Sequence, residues 1–346
     1  MKKHLLLTAF CIVGIFSPAQ DPHFSQYSYS PLLINPAFAG YINCELRATA
    51  NYRNQWSGLT KPFETQMISI DGKFKTNLFT NDRDWIGMGA YVYNAVAGDG
   101  NLKTLKSSLL VAYNLGLNRD NTNFLSGAIS MGFVNRSVDF SKLYFENQFN
   151  GSGFNNTGSN ENVSNESFYY YDLSAGMMFT FQFQDRYRQP TIQSHIGVSI
   201  DHINMPKESF YDLADNRLEQ TINIHAGAFG EISEDILLNL EVWYKGQMAY
   251  LEYNDIIYGA NLLYPVTNYF TVYGGIWNRW SKDVIPMAGF EVSGWRLLFS
   301  YDISITDLQP AESLEFSLSK TFCFNSRGCK GLPCPSFGTD VKMFRR

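Results

Sequence analysis

The sequence predicts an all-β protein: a transmembrane antiparallel β-barrel of about fourteen strands, preceded by a non-strand stretch and followed by a short tail. Three observations predict it. The first is the segment Phe168–Phe183, FYYYDLSAGMMFTFQF. Tyr169, Tyr171, Leu173, Ala175, Met177, Phe179, Phe181 and Phe183 share one parity, and Asp172, Ser174, Gly176, Thr180 and Gln182 fall on the other. Period two is the repeat of a strand, whose successive side chains point to opposite faces. The second is that this alternation returns along the chain. The third is that the connections between ladders sort into a long and a short set, as the two ends of an outer-membrane barrel do.

Composition agrees. Aromatic residues make up 16% of the 346 residues, yet mean hydropathy is only −0.19. Strands that follow each apolar residue with a polar one give that combination. Apart from the N-terminus, no run approaches the roughly 18 apolar residues of a membrane-spanning helix. A net charge of −5 without a basic cluster excludes a nucleic-acid partner.

The chain opens with Lys2 and Lys3, the apolar run Leu5–Phe16 and Ser17-Pro18-Ala19. These read as the charged region, apolar region and small-residue cleavage site of a signal peptide over residues 1–19. Cys11 lies inside the apolar run behind bulky Phe10, so it is expected to leave with the signal and not to carry a lipid.

Residues 20–43 begin QDPHFSQYSYSPLLINPAFAG. Pro22, Pro31 and Pro36 argue against a helix or a central strand, so this is read as a plug-like or periplasmic stretch. It resembles the mature N-terminus of the PorP/SprF family of type IX secretion-system outer-membrane proteins of the Bacteroidetes. The resemblance is carried by Asp21, Pro22, Phe24, Ser25, Gln26, Pro31, Asn35, Pro36, Ala37, Ala39 and Gly40. Further likeness lies at Tyr52-Arg53-Asn54-Gln55-Trp56, Trp85-Ile86-Gly87-Met88-Gly89 and Tyr301-Asp302 to Glu315, so it extends to about Phe322.

The barrel is expected over residues 44–322. Ladders fall at about 44–53, 65–73, 84–94, 105–117, 124–136, 168–183, 191–203, 220–232, 235–246, 253–264, 268–278, 285–292, 294–305 and 312–322. Those at 84–94 and 253–264 are apolar on both parities, which leaves their direction open. With both termini periplasmic, the long connections 139–167 and 204–219 face outward, and Ser233-Glu234, Pro265-Val266-Thr267 and Ser293 make short inner turns. The stretch 74–83 is long for its place in that scheme.

The polar parity places Glu45, Arg47, Arg53, Lys106, Arg136, Asp172, His195, Asp201, His225, Glu231, Glu241, Lys245, Arg296, Asp302 and Glu315 in the lumen. Both signs are present in near balance, which suits paired charges that fix register more than an ion-selective lining. His195 and His225 share the face of Asp172 and Asp201, so an Asp–His pair is geometrically open. No Gly-x-Ser-x-Gly, His-Glu-x-x-His or phosphate-cradling loop accompanies them. No enzyme, no catalytic residue, no metal site and no cofactor are expected.

Residues 323–346 form a tail with Cys323, Cys329 and Cys334. Cys44 opens the first strand, which adjoins the last in a closed barrel, so it is expected near Cys323. Four cysteines in an exported chain allow three disulfide pairings, and their spacings fit no standard zinc pattern.

The residues alone stop at a barrel. The resemblance implies a non-enzymatic component of type IX secretion and gliding that helps to export or anchor a large surface adhesin. It also implies secretion components and a periplasmic peptidoglycan-binding lipoprotein as partners, in contact with outer-membrane lipid. Asp21, Pro22, Phe24, Ser25, Gln26, Pro31, Asn35, Pro36, Ala37, Gly40, Arg53 and Trp56 are the candidate partner contacts. An outer-membrane porin or hydrophobic-solute transporter is the alternative.

Overall fold

The computed structural model describes residues 23–42, 44–58, 61–74, 83–118, 122–145, 148–149, 151–153, 166–184, 191–210, 216–233, 236–248, 254–267, 269–306 and 312–324. The expected signal peptide, Asp21 and Pro22, the stretch 75–82, the loop centre 154–165, and the expected tail with Cys329 and Cys334 lie outside the described residues.

Fourteen strands run in chain order: β1 (Leu46–Gln55), β2 (Phe63–Phe74), β3 (Trp85–Ala97), β4 (Leu102–Gly116), β5 (Phe124–Ser137), β6 (Ser167–Gln184) and β7 (Thr191–Asp201). They continue with β8 (Thr221–Ser233), β9 (Ile236–Gln247), β10 (Asn254–Pro265), β11 (Phe270–Arg279), β12 (Asp283–Val292), β13 (Trp295–Ser304) and β14 (Ser313–Phe322). Each pairs antiparallel with its chain neighbour, and β1 pairs with β14 to close the barrel. In that seam Arg53 stands opposite Glu315 and Leu46 opposite Phe322. Closure leaves no unpaired edge, which the hydrocarbon region does not tolerate.

Alternation takes its expected direction. Ile68 is 70% exposed, Leu109 70% and Ile129 68%, while Ser69, Ser108 and Ser130 beside them are buried. The apolar parity of β6 likewise faces out, with Tyr169, Tyr171, Met177 and Phe183 exposed and Asp172, Ser174 and Thr180 buried. Among the described residues no helix is long and apolar enough to cross a membrane; the strands make the crossing.

The longest connections lie at one end of the barrel. At the end where β1 begins and β14 finishes, here the terminus end, β12 and β13 are joined by Ser293 and Gly294, with φ of 51° and 80°. Two left-handed residues in succession match a tight hairpin to the twist of its strands. At the opposite, loop end lie the connections 138–166 and 202–220. These pack on each other through Phe140, Phe168 and Phe210 and an Arg136–Glu208 ion pair. The rule that long connections face outward is the ground for expecting the loop end to be extracellular.

The hydrophobic core is inside the barrel. From Phe24 to Ile42 every residue except Leu33 is buried, as the chain passes through the lumen in three short 3-10 turns, Tyr27–Tyr29, Pro31–Leu33 and Pro36–Phe38. Pro31 and Pro36 each open a turn, where the missing N–H costs nothing and φ is already set. The plug divides the lumen. Phe24, Leu32, Phe38 and Tyr41 pack against Met67, Tyr91, Tyr93, Leu110 and Met178 on one side. Tyr27, Tyr29 and Ile34 pack against Trp243, Ile257, Leu263, Tyr273 and Trp277 on the other. Each such large side chain contributes on the order of 1.5–3 kcal/mol by leaving water.

The plug also explains β3 and β10. Both bury one apolar parity against it, Tyr91 and Tyr93 in β3 and Ile257 and Leu263 in β10. Their other parity, with Met88 and Val92 or Tyr258, Leu262 and Tyr264, faces lipid.

Candidate functional site

The stretch expected to meet periplasmic partners is enclosed by the barrel wall, and most of its singled-out residues grip that wall. Ser25 meets Arg53, and Ser25 and Gln26 both meet Glu315. Ser25 N donates to Glu315 Oε1 at 2.6 Å and Gln26 N to Glu315 Oε2 at 2.9 Å. One carboxylate thus takes two successive backbone N–H groups. Arg53 pairs with Glu315 through Nη1 and with Asp302 Oδ2 through Nη2 at 2.9 Å. The Ser25 hydroxyl accepts from Arg53 Nη1 and from Arg279 Nη2 (2.8 Å), and donates to Asp302 Oδ2 at 2.6 Å. Arg279 also pairs with Asp283 at 2.8 Å, and Gln26 Nε2 donates to Ser300 Oγ at 2.8 Å.

Position explains why charges are admitted here. Arg53, Asp302 and Glu315 each stand third from the loop end of their strands, and Arg279 and Asp283 bracket the β11–β12 turn. Buried ions persist only when paired and hydrogen-bonded, and the plug supplies the extra bonds. In the plug itself, burial followed by the charge of Arg279 holds the His23 imidazole well below its usual range. Burial likewise pushes the Tyr27, Tyr29 and Tyr41 phenols up, so they stay neutral.

Midway down, Asn35 is the anchor. Its Nδ2 donates to Met177 O at 3.1 Å and Val198 O at 3.2 Å, and lies 3.0 Å from His225 Nε2. Its Oδ1 accepts from Ala37 N at 2.9 Å, capping the Pro36–Phe38 turn. Phe38 packs on His225 and His195 at ring separations of 4.6 and 5.5 Å. The Asp–His pairing that sequence left open takes another form. Asp172 pairs with Lys106 and with His202 Nδ1, the latter at 2.8 Å, and Asp201 accepts from Asn223 at 2.8 Å.

At the terminus end, Gly40 N donates to Asp71 Oδ2 at 2.9 Å, and Asp71 accepts twice from Arg47, at 2.9 and 3.0 Å. Gly40 has φ +71°, and a Cβ there would lie 2.7 Å from Gly87 Cα and 2.8 Å from Gly72 O. Only glycine fits such a backbone-to-backbone approach. Cys44 and Cys323 are joined by a disulfide with Cα atoms 4.7 Å apart. Trp56, beyond β1 at the loop end, packs on Phe63 with ring centroids 4.8 Å apart. Among the described residues no group of His, Cys, Asp and Glu is gathered to hold a metal.

Sequence reasoning missed Asp71, Arg279 and Asp283. Asp71 shares the parity of Ser69 in β2 and was legible as a lumen residue. Arg279 and Asp283 sit just beyond the ends of the ladders counted at 268–278 and 285–292.

Among solved structures, the chain is similar to the CymD monoaromatic hydrocarbon channel at 9% identity, covering 89% of this chain and 95% of that one, with a TM-score of 0.48. It is similar to a Pseudomonas aeruginosa FadL homologue at 12% identity, covering 88% and 95%, with a TM-score of 0.49. For the Ralstonia pickettii toluene transporter TbuX the identity is 6%, the coverage 85% and 93%, and the TM-score 0.48. No curated protein matches. The family described as type IX secretion system membrane protein PorP/SprF matches residues 16–322, which takes in the plug and all fourteen strands. This chain therefore belongs to the PorP/SprF family of type IX secretion outer-membrane proteins.

Proposed function

We propose that the protein is a plugged, non-enzymatic barrel that helps to export or hold a large surface adhesin. In this reading the extracellular connections, 138–166 above all, face the adhesin. The tail 323–346 and the terminus-end turns face a periplasmic peptidoglycan-binding lipoprotein. Cys329 and Cys334 would shape that tail.

The observation that carries the reading is the filled lumen. The plug is gripped near the loop end by Ser25 and Gln26, midway by Asn35 and at the terminus end by Gly40. One cavity between plug and wall, beside Lys106, His202 and Trp243, measures about 40 Å³. A water needs roughly 10–15 Å³ of such space, so this cavity takes a few waters and no solute. A barrel closed in this way supports a scaffold better than a pore.

The test is a mild-detergent pull-down from native outer membranes with the tag in an extracellular loop, read by mass spectrometry. Stoichiometric recovery of a very large secreted protein and a peptidoglycan-binding lipoprotein is expected. A barrel that purifies alone and conducts ions or takes up apolar solutes in liposomes would overturn the reading in favour of a porin or hydrophobic-solute transporter.

A further inference from the structure

The outer part of the plug is held as a bound peptide is held. Its backbone offers two successive N–H groups to the two oxygens of Glu315. Its Ser25 hydroxyl is read by Arg53, Arg279 and Asp302, and its Gln26 carboxamide by Ser300. The Tyr27 ring sits 5.3 Å from Trp243 and 5.1 Å from Trp277, and the Tyr29 ring 5.8 Å from the Arg296 guanidinium. Main-chain hydrogen bonds for affinity and separate pockets for side chains are how proteins read short segments of other chains. The covalent link plays no part in these contacts, because β1 begins only at Leu46.

We propose that the wall around Arg53 and Glu315 is a peptide-recognition groove. It is filled in cis by Phe24–Tyr29 and is open to exchange with a segment of another polypeptide. The segment it takes carries a hydroxyl residue, then a carboxamide residue, then an aromatic directly after and a second aromatic two residues further on. Exchange takes place from the loop end, where Arg53, Asp302, Glu315 and Arg279 lie within three positions of the strand ends. A tethered segment competes at an effective concentration on the order of mM. A free peptide therefore displaces it poorly, and a chain held at the mouth at similar local concentration displaces it on equal terms. The inference deepens the secretion reading and rests on it only for the identity of the incoming chain.

The probe is a fluorescent Phe-Ser-Gln-Tyr-Ser-Tyr peptide, titrated by anisotropy against full-length protein in detergent. Wild-type protein is expected to bind it only near millimolar concentration. Ser25→Pro removes one cis N–H and the hydroxyl, and is expected to tighten peptide binding at least tenfold. Adding Glu315→Gln to that variant, or replacing the peptide serine by alanine, is expected to reverse the gain. If Ser25→Pro does not yield a barrel with heat-modifiable mobility, Tyr27→Ala with Tyr29→Ala empties the aromatic pockets and gives the same readout. Closed-barrel variants that bind no better than wild type, or binding indifferent to Glu315→Gln, would overturn the groove. Failure here leaves the co-purification test of the secretion role untouched.

Discussion

The carbonyl oxygen of Ala39 occupies the space that a Cβ on Gly87 would fill. Plug backbone and wall backbone therefore touch directly at the terminus end, with Gly40, Gly72 and Gly87 meeting at one point. A grip made of main chain tolerates no side chain on either partner.

Gly87→Ala is accordingly expected to push the plug off the wall. Overpacking of this kind costs typically about 1–3 kcal/mol, read as a lowered midpoint of urea unfolding on heat-modifiable gels. Gly274→Ala is the control, because a methyl there meets nothing within 4 Å, and it should leave the midpoint in place. Equal behaviour of the two variants would refute the close approach.

Arg53→Met leaves Glu315 and Asp302 buried without their guanidinium. Breaking a buried pair from one side costs about 3–5 kcal/mol, and the same scale is expected here. Adding Glu315→Gln should restore part of the loss, since the remaining carboxamide oxygen still accepts from the plug. A double-mutant cycle measures this; strict additivity would show that the two residues do not act together.

Reduction of the Cys44–Cys323 bridge should weaken the seam. A disulfide typically contributes about 2–4 kcal/mol, so dithiothreitol is expected to lower the unfolding midpoint of wild type and not that of Cys44→Ser. Alkylation of the unreduced protein should leave Cys44 and Cys323 unlabelled. Labelling of both would remove the bridge.

Strand positions were legible because the two faces of each strand meet different surroundings, and period two records that difference over a few residues. Leu109 against Ser108 and Ile129 against Ser130 show it directly. The reading failed to give a direction where the lumen itself is apolar. Tyr91 and Tyr93 look like lipid-facing residues until Phe24 and Leu32 are placed beside them, and no window along β3 contains that fact.

The site was legible one residue at a time. Ser25, Gln26 and Arg53 were picked out by resemblance, and Asp302 and Glu315 by lumen parity. Their union was not, since Ser25 and Glu315 are 290 positions apart and only barrel closure brings them together. Asn35 shows the same limit. Its cap on Ala37 is a local pattern that sequence announces, whereas its bonds to Met177 and Val198 depend on register across two distant strands.

The bridge between Cys44 and Cys323 has a topological consequence. It turns residues 44–323 into a covalent ring whose strands form the barrel wall, and residues 24–42 lie in the middle of that ring. The molecule is a lasso. At the terminus end the plug cannot pass sideways between β1 and β14, however far the hydrogen bonds of the seam loosen. Oxidation of the thiols at positions 44 and 323 therefore fastens the first strand to the last directly beside the point where residues 24–42 join the wall.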